Sequence, residues 1–325
     1  MHTTALRYHA YGKPDDVLKI EQLKLPPLGT DDALVRILAA AINPADFGRI
    51  AGVYGQLAEL PATAGLEGVG EVVAVGKFVT KLRIGQRVFV PSAAGTWQTH
   101  AIAQANDFYP APETLPIETA AMSWINPATA WLLIHDFAKL KPGDWIVQNA
   151  ATSSVGKLVI QFARHMGLRT INLVRSLDSK DALEKLGGDI VLLDDKNASK
   201  SVSVKAKLAL NSIGGNSVHT QCKLLENGSP LVTFGGMDRA LSPFPTRYLI
   251  FNDIRLSGFW LTSWYRKAMR EQIEALHTEI FTFMENAKIT IDTAATYPLE
   301  QFQEALAHSQ KAGKRGKVLF DLRGG

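Results

Sequence analysis

The chain is poor in the residues that form covalent or metal cross-links. It contains 325 residues and a single cysteine, Cys222. An internal disulfide and a cysteine zinc cluster are therefore both excluded. The eight histidines are dispersed along the chain, and none is paired at the short spacing that puts two ligands on one metal. We therefore predict that the protein holds no metal.

Long apolar runs are missing as well. No segment approaches the roughly 20 apolar residues that a membrane helix needs. The first residues show neither the apolar core of a signal peptide nor the Arg-rich pattern of an organelle presequence. Hydrophobic residues make up 46% and charged residues 20% of the chain, as in globular proteins that work in water. We expect a cytoplasmic protein without a membrane partner.

Neither sign of charge dominates the chain. The 35 basic and 31 acidic residues give a net charge of +4, with a pI of about 9.0. This small excess favours anionic ligands. The basic residues are scattered, the densest cluster being Lys311, Lys314, Arg315 and Lys317, and no aromatic–basic RNA-binding motif is present. We predict no nucleic-acid partner.

One stretch in the middle of the chain follows the order strand, tight turn, helix, strand. Residues 145–148 form a short apolar run, and residues 149–154 are small and polar. Apolar residues then recur at helical spacing up to Gly167, and residues 170–174 form a second β-rich run. The pattern predicts the first βαβ unit of a dinucleotide fold. The cofactor pyrophosphate would lie at the helix N-terminus, where free N–H groups and the helix dipole favour anions.

The end of the second strand indicates which dinucleotide binds. Residues 170–177 contain no acid at the strand end, where Arg175 stands instead. An NAD site usually has a carboxylate there for the ribose 2′-hydroxyl, whereas a guanidinium suits a 2′-phosphate. The sequence therefore predicts NADPH. The turn is not the usual G-x-G-x-x-G, because only Gly156 remains of its glycines. A βαβ unit that binds no nucleotide stays open as an alternative.

The two halves of the chain differ in the order of their predicted strands and helices. Glycine-separated strands are predicted early, and a helical segment at 117–138 is interrupted near Asn126-Pro127. From residue 141 onward strands and helices alternate, which is typical of a parallel sheet covered by helices. The strands predicted for the two halves, beyond the two of the βαβ unit, lie at 33–40, 68–76, 87–90, 190–193, 207–210, 230–234 and 255–259.

These segments predict an α/β protein with two domains. The six strands from 145 to 259 form a doubly wound six-stranded parallel sheet, or Rossmann fold, in a dinucleotide-binding domain at 121–266. A helix at 267–286 and a short β-like piece at 317–322 follow. We expect this tail to return to the first domain, which then comprises 1–120 and 267–325 and is β-rich.

Few side chains are candidates for chemistry. Tyr54 lies in a loop with a proline and several glycines, and a phenol can donate a proton at neutral pH. Its alternative role is that of a packing aromatic, as for Trp260 at the end of the last strand. Ser153 and Ser154 lack the G-x-S-x-G context of a nucleophile and fit helix caps or phosphate donors better. Gly235 and Gly236 follow another strand, where they allow a ligand to approach the backbone.

Several segments spread over almost the whole chain resemble a known family. They are I-N-P-A-D-F-G-R-I-A-G-V-Y-G, A-G-L-E-G-V-G-E-V-V-A-V-G, I-N-P-A-T-A-W, T-I-N-L-V-R, F-G-G-M and L-I-F-N-D-I-R-L-S-G-F-W-L. The family is that of the zinc-free medium-chain dehydrogenases/reductases, which are similar to quinone oxidoreductases. The segments are most similar to its NADPH-dependent trans-2-enoyl-thioester reductases. Leu66 stands where a zinc alcohol dehydrogenase would carry a histidine.

The resemblance implies a fold and a set of roles. The first domain would be a GroES-like, partly open barrel, and two copies of the chain would form a homodimer. Tyr54 matches the tyrosine proposed to protonate the substrate α-carbon. In the phosphate turn Thr-Ser-Ser-Val replaces the commoner Asn-Ser-Gly/Ala-Val, and Arg175 is not followed by a second arginine. The implied cofactor-contacting positions are Asn126, Thr152, Ser153, Ser154, Val155, Arg175, Ser176, Leu177, Phe234, Gly235, Gly236, Met237, Phe259, Trp260, Leu261 and Lys317.

The implied reaction is the metal-independent, NADPH-dependent reduction of the α,β-double bond of a trans-2-enoyl thioester, linked to fatty-acid synthesis. The acyl carrier would be coenzyme A or acyl carrier protein. Two alternatives remain open at this point. One is a quinone or enone reductase on the same scaffold, which would not need Tyr54, and the other is an NADPH-binding protein without turnover.

Overall fold

The computed structural model of the chain describes residues 1–238, 242, 244–311 and 313–324. Within them the strands are β1 (His2–Tyr8), β2 (Lys19–Lys24), β3 (Asp32–Ala41), β4 (Ala62–Thr63), β5 (Gly68–Val75), β6 (Arg87–Phe89), β7 (His100–Gln104), β8 (Tyr109–Pro110), β9 (Trp145–Gln148), β10 (Arg169–Val174), β11 (Ile190–Leu193), β12 (Leu208–Asn211), β13 (Pro230–Thr233), β14 (Arg255–Gly258), β15 (Thr293–Tyr297) and β16 (Lys317–Asp321).

The helices of the same residues are α1 (Pro14–Val17), α2 (Pro44–Ile50), α3 (Ile117–Ala120), α4 (Asn126–His135), α5 (Ser154–His165), α6 (Lys180–Leu186), α7 (Ser217–Leu224), α8 (Thr246–Asn252), α9 (Leu261–Lys267), α10 (Arg270–Asn286) and α11 (Phe302–Gln310). No helix in these ranges is long and apolar enough to cross a membrane.

Contacts divide the chain into two compact units. Unit 1 comprises Met1–Ile125 and Ile291–Gly325, and unit 2 comprises Asn126–Thr290. The predicted division at residue 267 differs from this one, because α10 belongs to unit 2. The ring of Phe283 on α10 lies edge-on to Trp131 of α4, with 5.0 Å between ring centroids. Burial of these rings keeps α10 with the dinucleotide fold.

Unit 1 is built from two sheets. The larger has the order β15-β16-β3-β5-β6-β8, with β7 also paired to β3, and the smaller has the order β2-β1-β4. Neither order closes on itself among the described strands, which agrees with a partly open barrel. The core between them contains Trp97, Phe108 and Phe320, all fully buried. The alternating burial along β3 places this strand at the centre of the larger sheet.

Unit 2 confirms the predicted doubly wound sheet. Its order is β11-β10-β9-β12-β13-β14, and every pair is parallel. Numbered from β9, this is 3-2-1-4-5-6, the order of the dinucleotide fold, whose ligands bind at the carboxyl ends of the strands. On α5 the buried positions Leu158, Val159 and Phe162 form the helical stripe that the sequence predicted.

The helical segment predicted at 117–138 is broken directly before Asn126-Pro127, as expected, but proline is not the cause of the break. Proline does not interrupt a helix there. Pro127 lies in the first turn of α4, where the missing N–H has no helical partner to lose. The break lies earlier, between the end of α3 at Ala120 and the start of α4 at Asn126. Proline therefore starts this helix.

Candidate active site

The turn between β9 and α5 is shaped for a ligand at the start of the helix. Ala150 has a φ of 47°, in the left-handed region that non-glycine residues rarely adopt. Ser153 is the N-cap of α5, and its Oγ accepts from the N–H of Gly156 at 3.1 Å. A Cβ at Gly156 would lie 2.7 Å from the carbonyl oxygen of Ala151. Gly156, the only glycine of this turn, therefore allows the start of α5 to pack against the turn.

The carboxyl ends of neighbouring strands are held together by buried amides. Asn149, just after β9, donates from Nδ2 to Asn211 Oδ1 at 2.7 Å and to Ser217 Oγ at 2.8 Å. Its Oδ1 accepts from the N–H of Ser212 at 2.7 Å. This group was not predicted from the sequence. The sequence signal for this group was an asparagine at the end of each of two apolar strands. Hydrophobic burial alone would not place an amide there.

The strand end beside the turn carries the predicted guanidinium. Arg175 directly follows β10 and is exposed, as are Ser176 and Leu177. Ser176 Oγ accepts from the N–H of Asp178 at 3.2 Å, which shapes the backbone after Arg175. Among the described carboxylates none forms a salt bridge with Arg175, so the charge is directed to solvent. The geometry suits a ligand phosphate at this strand end.

Two further turns lie at the same edge of the sheet. After β13, Phe234 N–H bonds to Asn211 O at 2.9 Å, and a Cβ at Gly235 would lie 2.8 Å from Ser212 O. At Gly236 a Cβ would meet no described atom within 4 Å, and Met237 beside it is 53% exposed. The backbone at Gly236 is thus accessible to a ligand. Gly235 must be glycine, because a side chain there would collide with the neighbouring turn at Ser212.

The end of β14 contributes aromatic residues. Phe259 N–H continues the ladder to Thr233 O at 2.9 Å, and the Phe259 ring packs edge-on against Phe137 with centroids 5.9 Å apart. Trp260 caps α9, and the guanidinium of Arg266 lies over its ring at 5.4 Å. Leu261 is buried at the first position of α9. These contacts fix the aromatic residues at the carboxyl edge.

Asn126 supplies a direct sign of a missing ligand in unit 2. The residue is 6% exposed at the start of α4. Its Nδ2 is buried and has no hydrogen-bond partner among the described residues. A buried unpaired donor is rare in proteins and costs free energy, so a bound acceptor is the natural explanation. The orphaned amide, the open backbone at Gly236 and the free guanidinium together fit a pyridine dinucleotide phosphate.

Tyr54 lies in unit 1, just beyond α2. The helix ends at Ile50, and the chain reverses at Gly52 with a φ of +75°. Val53 N–H donates to Gly48 O at 3.0 Å. A Cβ at Gly48 would lie 3.5 Å from Cδ2 of Tyr54, so the helix backbone packs against the ring. The half-buried tyrosine is therefore held by the helix that precedes it.

The last predicted cofactor residue, Lys317, lies within unit 1 and is 6% exposed. Its Nζ donates to Asn43 Oδ1. Asn43 Nδ2 in turn donates to Glu67 Oε2 at 2.8 Å, and the Asn43 backbone N–H donates to Asp46 Oδ2 at 2.7 Å. The roles of Asn43, Asp46 and Glu67 were not predicted from the sequence. The available signal was Asn-Pro-Ala-Asp, an N-cap followed three residues later by an acid.

Burial controls the protonation of this group. It raises the pKa of Asp46 to about 7, while the Asn43 N–H, Lys317 and Arg49 act in the opposite direction and Glu67 adds to the rise. Burial likewise raises the pKa of Glu67 and lowers that of Lys317. Oδ1 of Asp46 is buried and has no hydrogen-bond partner in the part of the chain that the structure describes. Asp46 therefore holds a proton over much of the range in which an ordinary aspartate is charged.

The raised pKa predicts a pH-dependent stability difference between Asp46→Asn and wild type. Folded Asp46 binds its proton more tightly than the unfolded side chain. Its contribution is thus fully present below about pH 4 and is lost as the pH rises through about 7. Asparagine imitates the protonated form. As the pH rises, the free energy of unfolding of wild type should fall relative to that of Asp46→Asn, by at most about 1.4 kcal/mol per pH unit.

Urea unfolding of both proteins at several pH values between 4 and 8 measures this difference. Asp178→Asn, at an exposed carboxylate in unit 2, is the control. Parallel pH profiles of Asp46→Asn and wild type would show that Asp46 is already ionised throughout this range.

Unit 2 brings the predicted residues of the turn, of the β10 end and of the β13 and β14 ends to one edge of its sheet, since all six strands run in the same direction. Tyr54 and Lys317 belong to unit 1. Among the side chains that the structure describes, no three of the types His, Cys, Asp and Glu are grouped as a metal site requires.

Comparison with protein families gives two matches. Residues 29–113 match the alcohol dehydrogenase GroES-like domain, and residues 154–278 match the zinc-binding dehydrogenase domain. The first match lies in unit 1 and the second in unit 2.

Individual proteins match over nearly the full chain. The human mitochondrial enoyl-[acyl-carrier-protein] reductase is 38% identical over 330 residues, which cover 98% of this chain and 88% of the human protein. The structure of a protein assigned as an NADPH:quinone reductase of Bacillus thuringiensis has a TM-score of 0.92 and 28% identity, with 99% of each chain covered.

A third comparison includes bound molecules. Etr1p, which with Etr2p forms the mitochondrial 2-enoyl thioester reductase heterodimer of Candida tropicalis, has been solved with NADP and crotonyl-CoA. That structure has a TM-score of 0.89 and 28% identity, and it covers 99% of this chain and 100% of the Candida chain.

Proposed function

Because the chain belongs to the enoyl reductase group of the zinc-free medium-chain dehydrogenase/reductase family, we propose that it reduces the α,β-double bond of trans-2-enoyl thioesters with NADPH. The observation that carries the proposal is the agreement of two features. Unit 2 offers an unpaired buried amide at the start of α4 and, at the carboxyl end of β10, a guanidinium without a described carboxylate partner to a phosphorylated dinucleotide. Tyr54 stands in a segment that resembles the enoyl reductases and is held by α2.

The residues proposed to hold the cofactor share the edge of one sheet. When bound, NADPH supplies a hydride for the substrate β-carbon. The start of α5 offers N–H groups and hydroxyls to its phosphates, and Arg175 offers a guanidinium to the 2′-phosphate. Asn126 Nδ2 can donate to a cofactor oxygen. The remaining contacts are proposed for Thr152, Ser153, Ser154, Val155, Ser176, Leu177, Phe234, Gly235, Gly236, Met237, Phe259, Trp260 and Leu261.

The proposed acid is the hydroxyl of Tyr54. An enoyl thioester is electrophilic at its β-carbon, and its reduction places negative charge on the thioester oxygen as an enolate. The enolate becomes the saturated product when a proton is added at the α-carbon. A positioned phenol can donate this proton. Packing of the tyrosine ring on the α2 backbone supports the role, since a proton donor must be held within hydrogen-bond reach.

Steady-state oxidation of NADPH with crotonyl-CoA, compared with a benzoquinone, tests the proposal. We expect turnover with the thioester and a much smaller kcat/KM with the quinone. The quinone is the second candidate substrate, because the Bacillus thuringiensis chain with the same fold is assigned to that activity. A preference for the quinone would overturn the thioester proposal. Tight NADPH binding without oxidation by either acceptor would favour a binding protein that does not catalyse a reaction.

We further propose that two copies of the chain pair through the end of the parallel sheet at β14. This strand is the last in its sheet, and Leu256 on it is 49% exposed. On α8, Ile250 and Phe251 are 70% and 73% exposed. An uncovered strand beside exposed apolar side chains favours association with another chain, and a two-fold pair is the commonest solution.

Phe251→Asp should convert the homodimer to monomer, because a charge at the centre of this apolar patch would have to be desolvated on association. Sedimentation velocity at micromolar concentration measures the change. Leu193→Asp is the matched control, since Leu193 is 41% exposed on β11 at the other end of the same sheet. A wild-type monomer, or a dimer that survives Phe251→Asp, would contradict this interface.

The cytoplasmic location that we expected from the sequence stays a prediction. The human and Candida tropicalis reductases are both named as mitochondrial. Cell fractionation with antibodies to this protein decides between the two compartments.

A further inference from the structure

Four buried polar side chains of unit 1 call for an explanation beyond cofactor binding. Asp46 and Glu67 are each 1% exposed, Asn43 is 4% and Lys317 is 6% exposed. They come from distant parts of the sequence: the start of α2, the residue before β5, and the first residue of β16. Burial of charged groups is costly unless each is paired and hydrogen-bonded. Because burying four such side chains at one place costs free energy, the group indicates a role in holding a neighbouring element in position.

Asn43 is the centre of the group. Its side-chain oxygen accepts from Lys317 Nζ, and its side-chain nitrogen donates to Glu67 at 2.8 Å. Its backbone N–H donates to Asp46 at 2.7 Å. Both ends of the amide are therefore engaged, with a donor on one side and an acceptor on the other. This fixes the orientation of Asn43, which is the N-cap of α2.

Glu67 connects Asn43 to the backbone of another segment. While Oε2 accepts from Asn43, Oε1 accepts from the N–H groups of Trp124 and Ile125 at 3.0 and 2.7 Å. The carboxylate thus has a fixed position that does not depend on Asn43. Lys317 has a similar anchor, since its backbone N–H donates to Asp292 O at 2.8 Å. Two residues that are each hydrogen-bonded to the backbone of another segment therefore hold Asn43, at the N-terminus of α2, between them.

Tyr54 lies just beyond the helix held in this way and packs against it. α2 is only seven residues long, and the backbone of Gly48 packs against the tyrosine ring. The chain between Gly48 and Tyr54 is closed by the bond from Val53 N–H to Gly48 O. A shift or rotation of so short a helix at its N-cap therefore moves the phenol. A misplacement of about 1 Å can cost roughly 10²-fold in rate.

We propose that Glu67 and Lys317 are positioning residues that act through Asn43 and α2 on Tyr54. The inference rests on the proposed function, since it concerns the proton donor of that reaction. It gives Lys317 a role other than the cofactor contact that the family resemblance implies. The charged groups that face the four side chains are Arg49, beside Asp46, and Lys314, beside Lys317.

Glu67→Gln is the first test. Glutamine keeps the size of the side chain and an acceptor for the Trp124 and Ile125 amides, but its NH₂ then faces the NH₂ of Asn43. The contact between Asn43 and position 67 is lost without removal of bulk. We expect kcat with crotonyl-CoA to fall about tenfold or more, while the Kd for NADPH, measured by fluorescence titration, stays within about twofold. Glu71→Gln, on the neighbouring strand β5 with a partly exposed carboxylate, should leave both values unchanged.

A double-mutant cycle with Tyr54→Phe separates positioning from a general structural defect. If Glu67 acts through Tyr54, Glu67→Gln should change the residual kcat less than twofold once the phenol is gone. Equal losses in both backgrounds would overturn the proposal. Lys317→Met should behave like Glu67→Gln, with Lys81→Met on the surface as its control. A rise in the NADPH Kd of Lys317→Met with kcat unchanged would assign Lys317 to the cofactor.

Hydrogen exchange gives a readout that does not depend on turnover. In Glu67→Gln and in Lys317→Met, amides of residues 46–54 should exchange at least several-fold faster than in wild type, whereas those of β3 should not change. Unchanged exchange over 46–54 in both variants would overturn the positioning role, even in a protein that reduces no thioester. If Tyr54→Phe instead reduces crotonyl-CoA as fast as wild type does, Tyr54 is not the acid of the proposed function.

Discussion

Tyr54→Phe should lower kcat with crotonyl-CoA by roughly 10²- to 10⁴-fold, the range that a positioned general acid contributes. The substitution removes one oxygen and keeps the ring that packs on the backbone of Gly48. The loop should therefore retain its fold, and NADPH affinity should stay within about twofold. The loss should appear in kcat and kcat/KM alike, because the proton is transferred only in the transition state.

The measurement is steady-state NADPH oxidation over a range of crotonyl-CoA concentrations, with the same variant assayed on a quinone. Tyr297→Phe is the matched control, since this hydroxyl lies 3.0 Å from His308 Nδ1, away from the loop of Tyr54. Equal rates of Tyr54→Phe and wild type on the thioester would remove the phenol from the reaction.

Arg175→Ala should weaken NADPH binding by about 10- to 100-fold and leave NADH binding nearly unchanged. The guanidinium stands exposed after β10, and among the described residues no carboxylate neutralises it. A hydrogen bond to a charged group is worth about 1.5–3 kcal/mol, which corresponds to this range of affinities. NADH lacks the 2′-phosphate and so has nothing to lose.

Fluorescence titration with both nucleotides tests the assignment of Arg175. Arg169→Ala provides the control on the same strand, because Arg169 begins β10 at the opposite edge of the sheet, with its guanidinium 5.6 Å from the Trp145 ring centroid. A parallel loss of NADPH and NADH affinity in Arg175→Ala would mean that the arginine supports the fold of the strand end and does not read the phosphate.

Much of unit 2 was predictable because its signals are local. Apart from β14, its strands are short runs rich in apolar residues. The predicted segments at 190–193, 207–210, 230–234 and 255–259 overlap β11, β12, β13 and β14. Gly187 follows α6 with a φ of 109°, the left-handed conformation in which glycine commonly ends a helix. Parallel strands with helices between them allow few topologies, so the strand order followed from the number of strands.

The remaining elements depend on partners far away in sequence. β1 and β2 were not predicted, since their residues are partly charged and their pairing in the smaller sheet is what makes them strands. β15 pairs with β16 in parallel, and Thr293–Tyr297 has no long apolar run to mark it. The Asn43–Glu67–Lys317 group was missed for the same reason. Three polar residues separated by 24 to 274 positions carry no local pattern.

The unpaired amide of Asn126 has a consequence for how the protein responds to its cofactor. Its Nδ2 is buried and has no acceptor among the described residues. A cofactor oxygen that accepts from Nδ2 supplies that acceptor. Nucleotide binding therefore adds a hydrogen bond inside unit 2 and should stabilise the fold of this unit as well as fill the site.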